Sequence, residues 1–173
     1  LAQGHPDEPG GSANPQGLLN PHIGAPSAGM IGGKKRELPN AVYRWDPSGH
    51  LDVAITEDQL KDPNGICFSP DYKTLYVIST GKGPGDSHAG GTRTIHAFDA
   101  QGTQVANGRE FLDMTVDGVH CGPHGMRADV FGNRWCSSKA PLGYAGVLVY
   151  NAQGKWRGRV RLPGVCANLG RGG

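Results

Sequence analysis

Two tripeptides combine a chemically useful side chain with a rigid and a flexible neighbour. Pro63-Asn64-Gly65 offers an amide and Pro123-His124-Gly125 an imidazole, each directly before an apolar segment. An amide oxygen can face a ligand, while an imidazole can ligate Zn²⁺ or exchange a proton near neutral pH. Each also has a plain reading. Pro-Asn-Gly on its own shapes a bend, because Asn and Gly tolerate left-handed backbone angles, and a single His is an ordinary surface-loop residue. His120, Cys121 and His124 lack a second pair at zinc-finger distance, so a structural zinc site is not expected. Gly81 to Asp86, "GKGPGD", meets neither the Walker spacing nor the dinucleotide fingerprint and reads as a connecting loop. Asp86, Ser87 and His88 are the residue types of a hydrolase triad, but immediate chain neighbours do not line up as nucleophile, base and orienter, and no G-x-S-x-G elbow occurs.

The elements that must position these residues are short. The chain has 173 residues, enough for one domain, with 29 Gly, 13 Pro, 18% charged and 36% hydrophobic residues. Such a composition favours a turn-rich, all-β chain over long helices. Seventeen basic against fifteen acidic residues give a net charge of +2, too balanced for a dedicated nucleic-acid partner. The one dense basic run, Lys34-Lys35-Arg36, is followed by Glu37 and reads as a solvated loop. No apolar run approaches the roughly 18 to 20 residues that cross a bilayer, so no membrane partner is expected. Both ends read as cuts through a longer fold. The expected compartment is the cytoplasm, with the periplasm as the alternative because a leader would precede Leu1. Cys67, Cys121, Cys136 and Cys166 form no C-x-x-C pair, and free thiols are expected, Cys67 in a buried strand.

Residues 1–40 carry Pro and Gly every few positions without a period of 2 or 3.6, and read as a loop able to cover one face of the fold. Residues 41–173 repeat. "VYRWDPSGHLDV", "IHAFDAQGTQVA" and "VLVYNAQGKWRG" each give a strand, an acidic or amide residue, a Gly-containing turn and another strand, with Asp46, Asp99 and Asn151 spaced 53 and 52 apart. Between these hairpins each P-x-G leads into a strand, a tight turn and another strand. Four strands per repeat make a β-propeller blade, and about three blades are expected against the four to eight that close a ring. Phe68, Leu75, Val77, Trp135, Val147 and Val149 are read as packing between blades.

The motifs "PNGICFSPDYKTLYVISTG", "GPHGMRADVFGNRWCSS" and "GVLVYNAQGKWRGRVRLPGVCANLGRGG" resemble the SMP-30/gluconolactonase/LRE family, bacterial gluconolactonase-type, from Arg36 onward. The resemblance implies a six-bladed β-propeller with one divalent cation, Ca²⁺ or Zn²⁺ among others, at the end of its central channel, and a small-molecule sugar lactone as substrate. It further implies three ligands: a Glu near the amino terminus, the Asn of P-N-G, and the Asp of a P-D-G that is also the usual general base. Asn64 matches the Asn. The Glu has no counterpart, its segment falling before Leu1. His124 takes the place of the Asp, as framed by Pro123, Gly125, Asp129, Gly132 and Trp135. Asp117 is a nearby carboxylate, read as a turn residue.

The expected function is therefore metal-dependent opening of sugar lactones, with Asn64 and His124 as metal ligands and His124 as the candidate base. Imidazole suits Zn²⁺ better than Ca²⁺, which prefers oxygen. The competing expectation is a non-catalytic propeller fragment serving as an interaction module.

Overall fold

Alternating apolar residues separated by turn formers dictate short antiparallel strands, and twelve are present in the computed structural model, which describes residues 39–45, 48–81 and 90–170. Residues 1–38, with Lys34, Lys35 and Arg36, lie outside the described residues, as do Asp46 and the Asp86-Ser87-His88 segment. The first ladder joins β1 (Val42–Trp45) to β2 (Leu51–Ile55). The next sheet is a four-stranded meander of β3 (Pro63–Phe68), β4 (Thr74–Ser79), β5 (Ile95–Gln101) and β6 (Gln104–Leu112). A small hairpin, β7 (Thr115–Val116) and β8 (Val119–His120), leads to a second meander of β9 (Gly122–Ala128), β10 (Arg134–Lys139), β11 (Gly146–Tyr150) and β12 (Trp156–Arg161). The expected blade is thus present twice in full, with a two-stranded ladder preceding.

Turn chemistry closes each hairpin. Between β9 and β10 the Asp129 carboxylate accepts the Phe131 and Asn133 backbone N–H groups, the Asn133 amide and the Trp135 indole N–H, at 2.8–3.0 Å. Burial raises the Asp129 pKa, and these four donors outweigh it to leave the group below its ordinary value. Asn151 works similarly after β11, its Oδ1 accepting from the Gln153 and Lys155 N–H groups. Asp99 departs from the expected equivalence. It lies within β5, bonded to Asn107 and Arg109, because β5 stays paired as far as Gln101, opposite Gln104, whereas β11 ends at Tyr150 just before Asn151.

The two faces of the first meander bury different side chains, as a period of two requires. Phe68, Leu75 and Val77 pack with Val42 and Ile55 of the first ladder. On the opposite face Cys67, Tyr76, Ile78, Ile95 and Ala97 meet Met126, Cys136, Leu148 and Tyr150 of the second meander. Each fully buried aliphatic side chain stabilises by about 1.5–3 kcal/mol. Trp135, Val147 and Val149, also read as packing between blades, differ. They share the other face of the second meander, are only half-buried, and join neither core, since that face meets no further sheet among the described residues.

Arg134 crosses the junction between the meanders. It is 1% exposed, with its guanidinium carbon 4.2 Å from the Tyr76 ring centre and 4.9 Å from that of Phe111. Those rings meet edge-on at 5.0 Å, and the guanidinium donates to the Asn151 and Ala152 carbonyls. A buried cation held by ring faces and backbone oxygens pins the sheets laterally as well as by apolar contact.

All four cysteines are free, and burial raises the thiol pKa of Cys67 to about 12 and pushes Cys121 and Cys136 upward too. A thiol reagent at pH 8 should therefore modify Cys166 alone in the native chain and all four cysteines in denaturant. Because the folded state holds these protons longer, their stabilisation is complete below the ordinary value of 9.0 and declines as pH rises toward 12. Urea titrations at pH 8 and pH 10.5 should show the loss.

Candidate active site

Both P-x-G tripeptides lie inside the innermost strand of a meander. Along β3 and β4, Pro63 pairs with Ser79 and Ile66 with Val77, so Asn64 and Gly65 together oppose Ile78. Along β9 and β10, Pro123 pairs with Ser138 and Met126 with Cys136, so His124 and Gly125 together oppose Ser137. The two sites are matching β-bulges. Proline suits the position because it has no N–H to give the ladder, and a bulge turns its extra residue out of regular pairing, a device common beside active sites. The bend anticipated at Pro63-Asn64-Gly65 is a bulge within a strand.

Glycine then lets the bulges touch. A Cβ on Gly65 would collide with the His124 carbonyl oxygen, and would stand 2.8 Å from the Ile78 side chain and 3.0 Å from the Gly125 Cα. A Cβ on Gly125 would collide with Asn168 and stand 2.8 Å from the Ala167 carbonyl. The backbone of β3 thus lies against that of β9, and β9 against the segment after β12. Asn64, His124 and Asn168 fall on three consecutive segments.

The second bulge is tied down by hydrogen bonds. The Gly125 N–H donates to the buried Ser137 hydroxyl at 2.7 Å, which donates onward to the Ala167 carbonyl at 3.0 Å. His124 Nδ1 lies 3.0 Å from that carbonyl. A carbonyl only accepts, so Nδ1 carries the hydrogen, and in the neutral ring Nε2 keeps its lone pair. Asn64 is half-buried, and its side chain makes no hydrogen bond among the described residues.

Other candidates separate from this site. Asp117, at φ +51°, and Gly118, at φ +76°, form the two-residue turn of the β7–β8 hairpin, as the left-handed angles of a type I′ turn require. Its carboxylate accepts a long 3.4 Å bond from the Tyr144 hydroxyl. Cys121 is buried, with its thiol toward the Val119 carbonyl. Among the described residues no three His, Cys, Asp or Glu side chains gather to hold a metal ion. Ser137, Ala167 and Asn168 were not singled out from sequence. The signal for Asn168 is positional: it follows a completed hairpin, where the next inner segment begins.

Successive four-stranded meanders packed face to face, with bulged inner strands, define a β-propeller. Solved structures agree: a gluconolactonase from Xanthomonas campestris superposes with a TM-score of 0.59 at 31% identity, over 78% of this chain and 39% of that one. A luciferin-regenerating enzyme shares the fold at 18% identity, with a TM-score of 0.65 over 94% of this chain and 49% of that one. The chain belongs to the SMP-30/gluconolactonase/LRE-like family, whose profile matches residues 11–172. A lactonohydrolase of Aspergillus oryzae is 35% identical over 108 residues, 51% of this chain, and a gluconolactonase of Zymomonas mobilis is 29% identical over 127 residues, 70% of this chain. The chain spans less than a third of these curated relatives, the matches covering 23% and 31% of their lengths.

Replacing Ser137 by Ala should leave the buried Gly125 N–H without an acceptor, at a cost of about 1–3 kcal/mol. Urea denaturation of Ser137→Ala should show the midpoint falling with an unchanged slope. An unshifted midpoint would mean that the hydroxyl does not hold the bulge.

Proposed function

We propose that the chain contributes the Asn64 and His124 side chains to a site that opens sugar lactones by adding water. The observation carrying this reading is the contact between the two matched bulges, which places the amide and the imidazole on adjoining inner strands. Membership of a family whose named relatives are lactonohydrolases and gluconolactonases supports the same chemistry.

The residues present fit a divalent ion in one respect. An imidazole whose Nδ1–H is bound to a backbone carbonyl has the orientation and tautomer of a metal-ligating histidine, with Nε2 as the ligand atom and the Asn64 amide oxygen as the second donor, supplied from the adjoining strand. This donor pair suits a borderline ion such as Zn²⁺ better than Ca²⁺, and residues beyond those described would complete the coordination. Such an ion, when bound, polarises a lactone carbonyl and acidifies water. When it is not engaged as a ligand, His124 Nε2 keeps a lone pair that can accept a proton from water. The Ala167 tether keeps the ring oriented in either role, so no rotamer search precedes the reaction.

A second reading, a propeller that binds without catalysis, is favoured by the lack of a third strong ligand among the described residues. One set of measurements distinguishes the two. Calorimetric titration should give Zn²⁺ binding tighter than Ca²⁺ binding, weakened about tenfold or more in Asn64→Ala and His124→Ala, the loss expected for a removed ligand interaction. His124→Asp should shift preference toward Ca²⁺. Opening of glucono-1,5-lactone, followed by acid release, should stop with chelator and return with metal. Metal binding without turnover supports the binding module, and absence of both overturns the proposal.

A further inference from the structure

Arg93 occupies a strained position with two glycines cleared around it. It stands two residues before β5, exposed, with φ +64°, a left-handed angle unfavourable for a side chain of its kind. Its Cγ and Cδ fill the space where Gly81 would carry a Cβ. Its Nη2 and Nε lie 3.1 and 3.6 Å from where a Cβ of Gly122 would stand. Gly81 follows β4 of the first meander, two residues past the Ser79 that pairs with Pro63. Gly122 opens β9, two residues before His124. The guanidinium is therefore laid across the junction of the two sheets, at the end where both P-x-G bulges lie.

Within the described residues that cation has no internal employment. Among the described residues no carboxylate pairs with it and no acceptor takes a hydrogen bond from it. Arg134, by contrast, is buried and donates to two carbonyls. Backbone strain that persists without a compensating internal bond is a mark of functional positions. A planar fork of N–H donors is suited to a carboxylate, which it grips through two parallel bonds. Lys139, which pairs with Gly122 across the ladder, adds a second positive charge to this rim.

We propose that Arg93 is the carboxylate-binding residue of the site and selects sugar lactones bearing a free carboxylate remote from the carbonyl that is opened. The inference rests on the lactone-opening reading for its substrate and on the placement of Arg93 for its anion. Arg93 orients the ring from its charged end while Asn64 and His124 meet the reacting end, a specificity role distinct from theirs.

The test uses the full chain, Arg93→Met, which keeps the apolar stem over Gly81, and Arg93→Lys, which keeps the charge. Initial rates are compared for neutral glucono-1,5-lactone and the anionic glucaro-1,4-lactone. Arg93→Met should raise KM for the anionic lactone about 10- to 100-fold, as expected for losing a charge-assisted bond pair. The neutral lactone should change less than about threefold, and Arg93→Lys should recover part of the loss. Equal losses on both lactones, or no loss, overturn the assignment. Binding of D-glucarate, measured by calorimetry on the same proteins, separates this inference from the one beneath it. If no lactone is opened but glucarate binds and Arg93→Met weakens it by the same factor, the carboxylate site stands and the hydrolase reading falls. If the unaltered chain fails to bind glucarate, the carboxylate site falls.

Discussion

At the inner edge of the two meanders, two backbones meet with no side chain between them. At Gly65 and Gly125 the inner strands come together so tightly that a methyl group at either would strike a neighbouring carbonyl or Cα atom. Everything around the candidate site follows from this contact. It sets the distance between β3 and β9, allows the segment holding Ala167 and Asn168 to lie alongside, and leaves residues 64 and 124 on adjoining bulges. Substituting a larger residue would move one sheet relative to the next rather than disturb a single side chain.

Farther from the inner strands the junction is held by a different force. There the faces of the meanders carry Tyr76, Ile78, Met126, Leu148 and their neighbours, and apolar burial is strong but not directional. Arg134 supplies direction. Its plane is fixed by two aromatic rings and two carbonyls, so sliding of one sheet across the other breaks several contacts at once. The glycine contact fixes spacing at the inner edge and the arginine fixes registry toward the outer edge.

The architecture was readable in the sequence because it depends on local chemistry. Alternation in "TLYVIS" and "GVLVY", and the turn residues Gly102, Asp129 and Asn151, specify hairpins without reference to distant parts of the chain. The family resemblance rested on the same segments, and the family is the one found. The bulges were not readable, since a bulge is a property of two strands in register and only one of them contains the P-x-G. Arg134 resembled any surface charge until the rings of Tyr76 and Phe111 arrived from another sheet. Trp135, Val147 and Val149 looked like core by type, yet burial depends on a facing sheet. Asp99 echoed Asn151 in sequence, but its strand stays paired two residues beyond it, so its carboxylate bonds across the ladder to Arg109 instead of capping a loop.

One consequence of the paired bulges concerns how such a site can change over generations. Within each P-x-G the outer two residues answer to the scaffold, proline to the strand edge and glycine to the neighbouring backbone, whereas the middle residue fills no core position and touches the scaffold at most through one polar contact, as His124 does at the Ala167 carbonyl. Its identity can drift among amide, imidazole and carboxylate with little penalty to folding. The scaffold thereby offers interchangeable sockets at positions 64 and 124, where a single substitution changes the functional group presented while the strands stay in place.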